Sequence, residues 1–232
     1  MRKVREYLTY FSLLEWLLWG ISVIAITGAF LIFDRSNVLT LTASLIGVTS
    51  LIFIAKGNVI GQVLMLAFCL LYAIISYTYA YYGEMITYLG MALPMTIVGM
   101  ITWLKNPFEK GKAEVKVNHV QPKEYGLMAL LTIALTASFY FILQALGTSN
   151  LLVSTLSIAT SFIPAYLAFR RSPYYALGYV FNDTVLVVLW IMASIVNTAY
   201  VSIVVCFIAF LANDLYGFFS WKKMSKRQRE QS

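Results

Sequence analysis

The segment Ile97-Val-Gly-Met-Ile-Thr-Trp103 returns 118 residues later as Leu215-Tyr-Gly-Phe-Phe-Ser-Trp221. Each copy closes an apolar run and is followed at once by Lys105 or by Lys222-Lys223. The same offset pairs Tyr82 with Tyr200 and Tyr72 with Trp190. Upstream, Leu41-Thr-Ala-Ser-Leu-Ile-Gly-Val-Thr-Ser-Leu51 resembles Leu152-Val-Ser-Thr-Leu-Ser-Ile-Ala-Thr-Ser-Phe162 at an offset of 111. A drifting offset is what unequal loops between two copies of one unit produce.

The runs around these segments are long enough to cross a bilayer, which takes about 20 apolar residues. Eight fit: 15–33, 38–54, 59–81, 85–104, 125–146, 151–169, 174–196 and 199–221. Counting alternate gaps as cytoplasmic puts sixteen of the 17 basic residues on one side: Arg2, Lys3, Arg5, Lys56, Lys105, Lys110, Lys112, Lys116, Lys123, Arg170, Arg171, Lys222, Lys223, Lys226, Arg227 and Arg229. Only Arg35 falls opposite. This is the positive-inside asymmetry of a polytopic membrane protein, with both termini cytoplasmic. Composition agrees: 60% of residues are hydrophobic and 12% charged, against roughly 25% charged in a soluble domain. Mean hydropathy is +0.78. The net charge of +7 is accounted for by loops facing anionic headgroups, so nucleic acid is not an expected partner. The basic-then-apolar start resembles a signal peptide. Glu15-Trp16 opens its run, however, and no small-residue cleavage site precedes Asp34, so it reads as a retained helix.

The expected fold is therefore all-α and polytopic: an N-terminal helix plus a 3+1+3 arrangement. Residues 1–35 form the tail and extra helix, 36–104 the first three-helix bundle and 105–124 a solvated loop with Pro107, Gly111 and Pro122. Residues 125–147 form a linker helix, 148–221 the second bundle and 222–232 a basic tail. Both copies run in the same direction, so they are parallel repeats, and an odd helix count requires the linker crossing. Transporters use such repeats, with the substrate site near the midplane between halves.

Two acids fall well inside spans, in Asn182-Asp183 and Asn213-Asp214. A carboxylate in hydrocarbon is costly and should face a cavity or a partner, yet no Lys or Arg lies in any span. Helical spacing sets Tyr179, Asp183, Leu186 and Trp190 along one face. An acid between aromatics suits a flat, polar, cationic ligand; alternatively Asp183 is protonated and ties helices together. Asp214 lies nearer the cytoplasmic end, within reach of water. Gln62, a turn inside its span, can contact a ligand or brace a helix. Ser44, Thr49 and Ser50, with counterparts Thr155, Thr160 and Ser161, suit close helix packing. Pro94 and Pro164 within spans introduce kinks, and Tyr79, Tyr81, Tyr82, Trp103 and Trp221 form an interfacial belt. Cys69 and Cys206 read as small packing residues. His119 is a loop residue, so no intramembrane Ser–His pair exists, and neither a metal cluster nor a phosphate-binding glycine loop is present. An enzyme is not expected, nor a cofactor.

Ala55-Lys-Gly-Asn58, Leu70-Leu-Tyr72, Tyr81-Tyr-Gly-Glu-Met85 and Trp103-Leu-Lys-Asn-Pro107, continued by Arg170-Arg-Ser-Pro173, Tyr179-Val-Phe-Asn-Asp183 and Asn213-Asp-Leu-Tyr-Gly217, resemble the PnuC family of nicotinamide riboside transporters over residues 38–224. The resemblance implies a fold similar to the SWEET sugar transporters and passage of unphosphorylated nicotinamide riboside down its gradient. A cytoplasmic kinase then traps the product for NAD synthesis. It also implies homo-oligomers, trimers among them, in the cytoplasmic membrane. Relatives carry thiamine or deoxyribonucleosides, so fold alone does not give the substrate; a non-transporting binding subunit is the alternative in class. Many members have Trp-x-x-x-Asn with a later Tyr on the middle helix of each bundle. Here the first copy reads Leu64, Phe68 and Tyr72, and the second Tyr179 and Asp183. Taken together, the residue pattern and the resemblance make Tyr179, Asn182, Asp183, Trp190, Gln62, Tyr72, Asn213 and Asp214 the expected substrate contacts, with no catalytic residue and no metal ligand. Asp183 matters for charge, because nicotinamide riboside carries a cationic pyridinium ring.

Overall fold

A computed structural model describes residues 10–78, 81–148 and 150–231. Arg2, Lys3, Arg5 and Tyr79 lie outside the described residues. Among the described residues, eight helices are long and apolar enough to cross a membrane: α1 Leu13–Phe33, α2 Val38–Ala55, α3 Val59–Thr78, α4 Tyr82–Lys105, α5 Pro122–Ala145, α6 Leu151–Phe169, α7 Tyr175–Ser194 and α8 Val201–Glu230. These are the eight runs expected, with ends shifted by a few residues.

Local chemistry starts and stops them. Ser12 and Glu15 form a reciprocal capping box at α1: the Ser12 N–H donates to Glu15 Oε2 at 2.6 Å and the Glu15 N–H to Ser12 Oγ at 3.3 Å. Asn37 caps α2 by accepting from the Thr40 N–H at 3.2 Å. Gly57, at φ +65°, turns the chain into α3 through a conformation that costs glycine little. Inside α4 the chain widens to a π-helical turn over Tyr88–Ala92, and the Leu93 N–H bonds back to Tyr88 O. Pro94 accounts for this: it offers no N–H to the carbonyl one turn earlier, so the ladder slips by one residue. The kink expected at Pro94 is this widened turn.

α2–α4 and α6–α8 form two triples. α2 packs on α8 and α4 on α6, so the first helix of each triple meets the last of the other. α5 packs on α6, and α1 packs on α2 and α8. Two tryptophans bind the triples at the basic end. Trp103 Nε1 donates to Ala168 O at 2.9 Å, and Trp221 Nε1 donates to Ile54 O at 2.8 Å. Their rings lie 5.3 Å apart and both are fully buried. An interfacial belt role for Trp103 and Trp221 is thus corrected: they are core residues whose indole N–H groups satisfy helix-end carbonyls.

The 105–124 segment is mostly exposed, and it is also anchored to the bundle. Val115 is buried, its N–H donates to Gly57 O at 3.0 Å, and the Val117 N–H donates to Gln228 Oε1 at 2.8 Å. The basic stretch after Trp221 is helical, since α8 continues to Glu230. Thirty residues make a helix of about 45 Å, longer than the hydrocarbon core of about 30 Å, so its last turns stand clear of the bilayer and the linker packs on them. Arg227 pairs with Glu114 there. His119 meets Arg229 and Ser225, and partial burial, with Arg229 and Lys222 nearby, holds its imidazole below its ordinary pKa.

Candidate functional site

A cavity lies between the two triples, with about 80 Å³ open to the centre of a water molecule. The widened turn of α4 brings Tyr88 to its wall, α3 brings Gln62, and α7 brings Tyr179, Asn182 and Asp183; α8 adds Asp214. Asn182 is held by α6, accepting from Ser161 Oγ at 2.7 Å and Thr160 Oγ1 at 3.1 Å. Thr160 and Ser161, read as packing hydroxyls, are therefore also the clamp of a cavity residue. The periodicity of α6 points both toward α7, but only the packed pair shows that an amide waits there.

Asp183 and Asp214 are both buried and hydrogen-bond to one another. Asp214 was expected within reach of water; it is 4% exposed. Each acid is thus the other's partner, which resolves the missing basic residue. Asp183 Oδ2 receives no hydrogen bond from a nitrogen or hydroxyl of the chain. No Lys, Arg or His lines this cavity among the described residues.

Three of the expected contact residues stand elsewhere. Asn213 turns away from the cavity and donates to Ser22 Oγ of α1 at 3.0 Å and to Ala209 O at 2.8 Å. Adjacent helical positions are about 100° apart, and on α8 that turn carries Asn213 to α1 while Asp214 faces the cavity. Tyr72 and Trp190 lie beyond the cavity, toward the end away from the basic residues, in an aromatic cluster. Trp190 stands 4.9 Å from Tyr81, 5.5 Å from Tyr200 and 6.1 Å from Tyr72. Tyr72 is 4.4 Å from the cavity residue Tyr88. This cluster closes one end of the cavity; Trp103, Trp221 and Tyr175 stand at the other, with Tyr175 4.8 Å from Trp221.

Glu84 is a further buried acid, besides Glu15 and Asp34 near the ends of α1, and one that the sequence did not reveal. It is 2% exposed, accepts from Ser157 Oγ at 3.2 Å, and its second oxygen has no partner. It stands in the first turn of α4, where a charge ordinarily meets solvent. The neighbouring Gly83, which leaves room for Leu143 and Thr148 against the helix, was the available signal.

An all-helical multi-pass bundle with a cavity between two helix triples, mostly apolar in its wall but carrying a few amide, hydroxyl and carboxyl groups, is the build of a membrane transporter. The chain belongs to the nicotinamide mononucleotide transporter family, which matches residues 37–223 and to which PnuC belongs. It is similar to the nicotinamide riboside transporter PnuC of Neisseria mucosa, at 25% identity over 218 residues, covering 92% of this chain and 82% of that one. PnuC of Haemophilus influenzae is 23% identical over 191 residues, covering 82% and 81%. The crystal structure of a vitamin B3 transporter PnuC shares the fold, with a TM-score of 0.82 over 94% of both chains at 22% identity.

Proposed function

We propose that this protein carries nicotinamide riboside across the cytoplasmic membrane by facilitated diffusion, with phosphorylation by a cytoplasmic kinase trapping the product. The two relatives are named for that substrate. The observation that carries the choice is the cavity's charge: two carboxyls and no cation among its described lining residues. A phosphate monoester needs Arg, Lys or a helix N-terminus to replace its hydration, so the unphosphorylated nucleoside fits this lining better than the mononucleotide of the family's description. A pyridinium cation beside a carboxyl, with Tyr179 and Tyr88 offering ring faces, gains both ionic and cation–π attraction. Asn182 and Gln62 supply amides for the sugar hydroxyls and the carboxamide. Uptake of labelled nicotinamide riboside into liposomes that hold only this protein, without ATP or kinase, tests the reading. Binding without uptake returns the protein to the class of membrane binding subunits.

The hydrogen-bonded acids refine the charge test. Replacing only Asp183 by Asn leaves the Asp214 carboxyl, so one acid able to face the cation survives. The double variant Asp183→Asn/Asp214→Asn removes it. Its affinity for nicotinamide riboside should fall about tenfold further, or 1.4 kcal/mol, than its affinity for the uncharged dihydronicotinamide riboside, measured by calorimetry. Equal losses for the two ligands would reduce the acids to sugar contacts.

In this reading the basic end faces the cytoplasm, both termini lie there, and the two triples are parallel copies of one unit. The protein works as a homo-oligomer. Cysteines placed at the exposed Ser36 or Asn197, or at the half-buried Thr148, should react with an impermeant thiol reagent from outside intact cells, and a cysteine at the exposed His119 should not. The native Cys69 and Cys206 are buried and give no background. Labelling of position 119 from outside would invert the topology.

A further inference from the structure

Two carboxyl groups can hydrogen-bond to each other only when one of them carries a proton, because two carboxylates offer only acceptors. Asp183 and Asp214 make that contact in the cavity, deep in the bundle. Among the described residues, no ammonium, guanidinium or imidazole lines the cavity to take the proton's place. The groups that face the pair are neutral hydroxyls, thiols and amides. Tyr175 and Tyr179 come from α7, Tyr88 from α4, Cys69 and Gln62 from α3, and Cys206 from α8. α2 and α6 present Leu51, Ile54, Ser161 and Ala165, none of which titrates. Glu84 is the next acid outward, beyond Tyr88. Among the described residues, the proton between the two acids is thus what neutralises them.

A cationic ligand would provide a second one. In a site shielded from water, a unit charge a few Å away changes the free energy of a neighbouring ionisation by several kcal/mol at an effective dielectric near 20. We propose that the Asp183–Asp214 pair holds one exchangeable proton which leaves when a cationic ligand enters the cavity, so that the proton and the cation compete for the same site. This rests on the reading that the cavity receives a cationic nucleoside. In the exchange the carboxyl O–H bond breaks, the electron pair stays on the oxygen, and the proton passes to solvent buffer; nothing is oxidised or reduced. The protein then binds a cation as a dicarboxylate and rests as a hydrogen-bonded acid–carboxylate pair, which does not leave two bare charges in the membrane interior.

The test uses the whole protein in detergent, titrated with nicotinamide riboside in buffers of different ionisation enthalpy. The apparent binding enthalpy should vary with buffer in proportion to a release of about one proton per ligand, and the dissociation constant should fall by up to about tenfold per pH unit as pH rises. The uncharged dihydronicotinamide riboside should release none and bind independently of pH. Asp183→Asn/Asp214→Asn and Asp183→Ser/Asp214→Ser, each of which removes both carboxyl groups, should abolish the release; having two variants guards against one failing to fold. Cation binding with no proton release and a flat pH profile overturns the proposal and leaves the transport reading standing. Equal release with both ligands overturns it too, since the proton then follows a conformational change and not charge. Release that persists in both variants places the proton elsewhere and also overturns it. If nicotinamide riboside neither binds nor enters liposomes, the transport reading falls and the proposal falls with it.

Discussion

Replacement of Trp190 by alanine should lower unfolding stability by about 3–5 kcal/mol, the range for emptying a buried Trp or Phe site. The ring is fully buried and sits among Tyr72, Tyr81 and Tyr200. Neither lipid nor water can fill the space of an indole there without rearranging three aromatic neighbours. Inside a membrane bundle the loss is mainly of dispersion contacts, since hydrocarbon outside is as apolar as the core. A residue serving chiefly to stack on a ligand would give the opposite pattern, with affinity falling and stability kept. Thermal unfolding in detergent, with and without nicotinamide riboside, separates the two. Trp190→Phe should recover most of the loss, because it keeps an aromatic plug of reduced volume. A melting temperature unchanged in Trp190→Ala would show that the cluster does not close the cavity.

Gly61→Ala should destabilise the protein by about 1–3 kcal/mol, the cost of overpacking a filled interface. A Cβ at Gly61 would come within 2.5 Å of Ile54 Cγ1, 2.6 Å of Ile54 N and 2.7 Å of Ser50 O. Two of these are backbone atoms of α2, which cannot swing aside as a side chain can. The intrinsic helix preference works the other way, favouring Ala over Gly by about 1 kcal/mol. Contact this close to backbone outweighs it, so α2 and α3 must separate. Gln62 follows directly and lines the cavity, so ligand affinity should drop together with stability. Gly28→Ala on α1 is the matched control: nothing lies within 4 Å of its added Cβ, and the helix preference should then act alone, leaving stability equal or slightly higher. Unfolding midpoints for the two variants decide it. A Gly61→Ala protein as stable as the unsubstituted one would mean that α2 and α3 do not approach as closely as described.

The parts of this protein that could be read from sequence are those set by free energies acting along the chain. Transfer of apolar side chains into hydrocarbon, with the need to satisfy backbone groups there, dictates helices of about 20 residues, and all eight runs are helices. Asp183 and Asp214 stood out because a carboxylate in such a run has no solvent to hold it. Glu84 did not, because its helix begins a turn earlier than the hydropathy suggested and only packing against Ser157 buries it. The roles of Trp190, Trp103 and Trp221 were equally out of reach: an aromatic residue near a span end is as compatible with the lipid interface as with the core, and only the neighbouring helix decides which.

Helix identity, span count, the basic asymmetry and the presence of two buried acids follow from local composition and hydropathy, which need no knowledge of neighbours. Which acids touch, which amide faces the cavity, where the linker rests and which rings close the ends depend on how helices far apart in sequence pack. Asp183 and Asp214 are 31 positions apart in the chain, and nothing along it says that α7 and α8 turn those two faces toward each other. That contact, and with it the proton the pair must carry, is decided by the tertiary structure, because a hydrogen bond between two acids requires their oxygens to meet.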